Sequence, residues 1–166
     1  MHLQGRDVKP NYTKMSEKVY GHKRHTIGAN RVRIPSEYRT FVGDEVYVAP
    51  GTDGCFLLVP VSNEDVVLGK YNDSDPLMSE YKEIARYISR KMLKVAIDSQ
   101  SRMTLSPEIK KLCRGMDSAL ELEFCGRGNY IEVWPAHVFD RKYGDELDGE
   151  ELDDLIADLT ARLNKG

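Results

Sequence analysis

Short apolar runs of strand length, each closed by Gly, Asn, Asp or Pro, dominate the chain outside one central and one terminal segment. Val19 to Arg24 and Val32 to Ile34 flank Gly28-Ala29-Asn30 and read as strand, turn and strand; a brief helix begins at Ser36, and Glu45 to Pro50 and Cys55 to Pro60 form a strand pair around a Gly/Asp turn. The series then recurs. Lys94 to Ile97 and Met103 to Leu105 surround Asp98 to Ser101, Ser106-Pro107-Glu108 sets an N-cap before Pro at the first helical position, and Ala119 to Cys125 and Tyr130 to Trp134 make a second strand pair. In Ala119 to Cys125, Leu120, Leu122 and Phe124 share one face and Glu121 and Glu123 the other, so the leucine face is expected on the core.

The two series start from Arg31 and Arg102, 71 positions apart, and keep the same order: arginine entering a strand, helix start, two strands closed by proline. Such self-similarity marks a duplicated supersecondary unit. The expected class is α+β, two copies of one small β module sharing a core, because modules this small bury little surface alone. The expected boundaries are 1–17, a disordered extension; 18–61, the first module; 62–93, a helical connector; 94–143, the second module; and 144–166, an acidic helix or tail.

Helical period appears in the two remaining segments. Ser62-Asn63-Glu64-Asp65 resembles a capping box, and Leu77, Tyr81, Ile84, Ile88 and Met92 line one face, which predicts a helix hairpin packed on the sheet. Leu152, Leu155, Ile156, Leu159 and Leu163 form a stripe under an acidic outer face. Its expected place is against its own fold, with partner binding as the alternative.

Net charge is only −3, but it is unevenly spread. From Lys18 to Arg39 six Lys/Arg stand against one acid, and from Arg90 to Arg114 seven against two, whereas nine Asp/Glu gather from Ala136 to Gly166. The two basic patches coincide with the repeated unit, which points to a polyanion as partner. Three cysteines, Cys55, Cys113 and Cys125, sit in apolar context and read as buried thiols of a reducing compartment. No run approaches the roughly 20 apolar residues of a membrane span, and no signal core is legible, so the expected location is cytoplasmic. No nucleophile, phosphate loop or ligand spacing supports an enzyme, and neither a cofactor nor a metal is expected.

Three stretches carry a family resemblance: Asp98-Ser99-Gln100-Ser101-Arg102, Cys55 to Pro60 after the Gly51/Asp53/Gly54 turn, and Gly128 to Trp134. From about Val19 to Tyr143 the chain resembles the MraZ family, transcriptional regulators of the bacterial division and cell wall gene cluster with the AbrB/SpoVT-like swapped-hairpin fold. Asp98 and Arg102 match the family's Asp-x-x-x-Arg element; in the first half Arg31 matches and Ile27 replaces the acid. Asn30 and Ser101 stand where the family has glycine, and Ala29 and Gln100 where it has lysine. The resemblance implies a nucleoid-associated homo-oligomeric ring that binds short direct repeats in double-stranded promoter DNA, with Arg31 and Arg102 as base contacts, and represses its own gene cluster. Lys23, Arg24, Arg33 and Arg39 are then the candidate phosphate contacts, and Asn30, Asp98, Gln100 and Ser101 shape the turns. No small-molecule substrate is implied. The alternative is an oligomeric scaffold of the same fold whose DNA binding is weakened or lost through Ile27, Ala29 and Gln100, with an acidic tail that repels phosphate; basic residues on strand edges also serve to block edge pairing.

Overall fold

The computed structural model describes residues 17–72, 77, 79–144 and 146–165; the expected extension lies almost wholly outside them. Eight strands alternate with six α-helices: β1 (His22–Gly28), β2 (Arg31–Arg33), α1 (Arg39–Val42), β3 (Glu45–Pro50), β4 (Phe56–Pro60), α2 (Asp65–Asn72), α3 (Ser79–Lys91), β5 (Leu93–Ala96), β6 (Arg102–Thr104), α4 (Pro107–Lys110), β7 (Glu121–Gly126), β8 (Ile131–Pro135), α5 (Ala136–Tyr143) and α6 (Gly149–Lys165). The strands form one antiparallel sheet in the order β5-β3-β4-β8-β7-β1-β2-β6. Its edge strands β5 and β6 are joined by residues 97–101 alone, so the sheet curls until it is nearly closed. The class is α+β.

The two halves are interleaved. β1 of the first half pairs with β7 of the second, β5 of the second pairs with β3 of the first, and β2 and β4 pair with their counterparts β6 and β8. Each half alone leaves rows of unpaired backbone groups, and the other half satisfies them. Val32 lies opposite Met103, its own counterpart in the repeat, so this pair marks a local pseudo-twofold axis. Ile34 N–H donates to the Ser101 carbonyl, and at the equivalent place Leu105 N–H donates to the Asn30 carbonyl, each at 2.7 Å.

Period-two patterning builds the core. Val46, Val48, Phe56, Leu58, Leu122, Phe124, Ile131 and Val133 are fully buried inside the sheet, each contributing about 1.5–3 kcal/mol of apolar burial. Ser106 caps α4 as its sequence predicts, its Oγ accepting from Ile109 N–H at 3.3 Å. Gly126 sits where a Cβ would lie 2.6 Å from the Tyr20 backbone nitrogen, so only glycine lets β7 pass.

Three expectations change. Leu120 is 79% exposed because β7 begins after it, while Glu123 on the outer face is 2% exposed, covered where α5 packs on β7 and β8. Trp134, paired with Glu123 across the strands, stacks edge-on with Phe139 and Tyr143 of α5. The connector helices pack mainly on each other, Tyr71 edge-on to Tyr81 at 5.8 Å, and no described residue of α3 is fully buried. The leucine stripe of α6 is not docked on the fold: every described residue of that helix is exposed.

Candidate nucleic-acid interface

The β2–β6 ribbon is only three residues long on each side, and alternation divides it into two faces. Val32 and Met103 point inward and are buried. Arg31, Arg33, Arg102 and Thr104 therefore share the outer face, with Arg31 opposite Thr104 and Arg33 opposite Arg102. Arg31 and Arg102 are diagonal neighbours across the ribbon, on the order of 7–8 Å apart by ordinary strand spacing. The 71-residue repeat thus becomes a twofold display of two equivalent arginines, with a third, Arg33, directly opposite Arg102.

The turns entering the ribbon fix those arginines. Asp98 Oδ1 accepts from the N–H groups of Gln100 (2.8 Å) and Arg102 (2.9 Å), and Oδ2 accepts from Arg102 Nε at 3.0 Å. These contacts, the Arg102 N–H first, hold its carboxyl below the usual range. Asn30 and Ser101, at equivalent positions, both adopt left-handed backbone, φ 60° and 63°. Each is clamped from the other half's first helix: Arg39 Nε donates to Ser101 Oγ at 3.0 Å, and Lys110 Nζ donates to Asn30 Oδ1 at 2.7 Å. Lys110 is a residue of this face that the sequence reading missed, although it stands 71 positions after Arg39 and so was legible from the repeat.

The other basic candidates are unequally available. Arg31 has no hydrogen-bond or ion-pair partner for its side chain among the described residues. Arg33 is exposed and donates to the Gln100 carbonyl at 2.7 Å. Lys23 lies 3.0 Å from Glu37, whose carboxyl it holds low. Arg39 is also bound to the Gly43 carbonyl and to Asp44. Arg24 is the most committed: its Nε donates to Glu123 at 2.7 Å, and its two terminal nitrogens grip Asp140 at 2.6 and 3.1 Å. The two carboxylates, Asp140 first, push its pKa further up, and Asp140's is lowered in return. His22 Nδ1 meets the other Glu123 oxygen at 2.6 Å. A buried carboxylate is tolerated only with such partners, so this cluster fastens β1, β7 and α5 together.

The remaining chemistry is spare. The three cysteines are free, Cys55 buried and the others half-buried. Among the described residues no group of three or more His, Cys, Asp or Glu is placed to hold a metal, and no helix is long and apolar enough to cross a membrane. His137 is exposed on α5, and Asp140, three residues on, faces Arg24 instead.

No protein-family model matches the chain. It is similar, however, to proteins named Transcriptional regulator MraZ. That of Finegoldia magna is 26% identical over 137 residues, 81% of this chain and 94% of that protein. That of Methylococcus capsulatus is 27% identical over 138 residues, covering 79% and 89%. That of Mycoplasmoides gallisepticum is 25% identical over 122 residues, covering 73% and 84%. These names support a transcriptional regulator as the class of this chain. Similarity at this level over most of each protein supports the MraZ family in particular.

Proposed function

We propose that this chain is a sequence-specific DNA-binding regulator that reads promoter DNA with the outer face of the β2–β6 ribbon. The observation that carries the reading is the twofold display of Arg31 and Arg102 on one face, with Arg33 beside them opposite Arg102. A major groove admits a two-stranded ribbon, and an arginine fork matches guanine O6 and N7. Arg33 and Lys23 supply phosphate contacts, which set register and carry the salt dependence. Arg24 and Arg39 use most of their donors inside the fold, so their main part is to keep the face rigid.

The interleaving of β1 with β7 and β5 with β3 supports the swapped-hairpin form of the fold, with 18–61 and 94–143 as its modules and 62–93 as connector. By analogy with the MraZ relatives, copies assemble into a ring that presents successive ribbons to direct repeats upstream of the gene cluster and represses it, in the cytoplasm at the nucleoid.

A second reading, an oligomeric scaffold without DNA recognition, is favoured by the internal commitment of Arg24 and Arg39 and by Ile27 in place of an acid. Binding to a labelled duplex from upstream of the protein's own gene, against a shuffled duplex across a salt series, separates the two. Regulation requires preference for the upstream duplex and affinity that falls steeply with salt. Equal, weak binding to both supports the scaffold.

A further inference from the structure

α6 presents an amphipathic surface that the fold leaves uncovered. Leu152, Ile156, Leu159 and Leu163 are 45, 53, 45 and 80% exposed. Their spacing of four, three and four places them at successive d, a, d, a positions of a heptad, with isoleucine at a and leucine at d over the middle layers. Leu152 and Leu155 line an open cavity beside α5 with Tyr143 and stay exposed there.

Charge along the helix decides what can cover this seam. Glu150, Glu151, Asp153 and Asp154 crowd its N-terminal half, while Arg162 and Lys165 end it. In the heptad, Glu150, Glu151, Asp154 and Asp158 fall at outward b, c and f positions, so the acids do not obstruct a partner. A parallel pair sets the two acidic ends side by side and brings Asp153 against Asp148 of the partner subunit. An antiparallel pair lays each acidic end beside a basic one, places the methylenes of Arg162 over the partner's Leu155, and opposes the helix dipoles. The same self-complementarity is what a twofold contact between identical surfaces requires.

We propose that α6 pairs antiparallel with α6 of a second copy, Leu152 packing on Leu163 of the partner subunit and Ile156 on the partner's Leu159. The contact lies outside the ribbon and does not depend on DNA reading.

Disulfide trapping of the full-length chain tests the pairing and its direction. Cys55, Cys113 and Cys125 are poor competitors, since burial pushes their thiols up to about 12, 11 and 12. Under mild oxidation, an equal mixture of Ile156→Cys and Leu159→Cys should form crosslinked dimer several-fold above either variant alone, and above Asp154→Cys, which sits on the outward face. Light scattering of an Ile156→Glu/Leu159→Glu variant should show loss of the α6-dependent assembly with unchanged circular dichroism and unchanged affinity per DNA site. Crosslinking strongest for Ile156→Cys alone means a parallel pair and overturns the proposal. So does absence of crosslinks, or a charge variant whose mass equals that of the wild type, because either places another partner or solvent on the stripe.

Discussion

The five residues from Ile27 to Arg31 and the five from Asp98 to Arg102 occupy equivalent places at the two ends of the ribbon, yet they are held differently. In the second turn one carboxylate does three jobs: it accepts two backbone N–H groups and orients the guanidinium of Arg102. Asp98 N–H and the Arg102 carbonyl close the loop at 3.0 Å, and Ser101 supplies the left-handed residue that a three-residue hairpin needs. In the first turn Ile27 packs against the core, Gly28 pairs with Arg31, and Ala29 and Asn30 both take left-handed backbone, the form of a two-residue hairpin. Arg31 is left without a partner among the described residues. The two turns keep the arginine in the same position and prepare it differently: Arg102 is preoriented at the cost of a competing anion, and Arg31, unpartnered among the described residues, orders its side chain only on binding.

The largest expected effect that separates the ends is on DNA affinity. Arg102→Ala should weaken binding to the upstream duplex by about 2–3 kcal/mol, because on the proposed reading it removes a base contact and leaves Asp98 uncompensated beside phosphate. Arg31→Ala should lose about 1–2 kcal/mol, and both variants should relax sequence preference in a competition titration. Equal losses would mean that the Asp98 pairing makes no difference.

Smaller effects of opposite sign are expected one residue before the left-handed pair. Ala29→Gly should stabilise the fold by about 0.5–1 kcal/mol, since glycine adopts the φ of 53° without steric cost. Gln100→Gly, at the equivalent place but without left-handed backbone, should destabilise by a similar amount through the freer unfolded chain. Denaturant melts of the two variants read both signs.

The smallest difference is a pH response. The Asp98 carboxyl is lowered in the folded state, so its contribution is complete above the ordinary aspartate range and fades as pH falls through that lowered value. Amide exchange at Gln100 and Arg102, corrected for its intrinsic pH dependence, should accelerate on acidification below about pH 4. Asn30 and Arg31 should show no matching change, since Ile27 brings no carboxyl to their turn.

Much of the architecture was readable because period-two apolar runs and turn residues are local signals. Eight strands, the Ser106 cap and the 71-residue repeat follow from them, but the first strand runs His22–Gly28 and not Val19 to Arg24, because its register is set by pairing with β7 and Val19 makes only an isolated bridge to Gly128. What escaped was decided by packing between distant segments. Glu123 belongs on an outer face by alternation, and only the arrival of α5, with Arg24 and His22 beside it, buries that face. The availability of Arg24 was hidden for the same reason, since its partners Glu123 and Asp140 lie 99 and 116 residues away. The stripe of α6 was legible as amphipathic, but amphipathicity states that a face needs cover and not what covers it.

On the proposed reading the outer face of the β2–β6 ribbon touches DNA. The most direct test is a photo-crosslinking amino acid placed at Thr104, between the arginines, and separately at Glu83 on α3, each irradiated with the labelled upstream duplex. Contact through the ribbon should give a covalent protein–DNA adduct from position 104, competed by unlabelled upstream duplex, and none from position 83. Adducts from position 83 alone, with binding intact in both proteins, would contradict it.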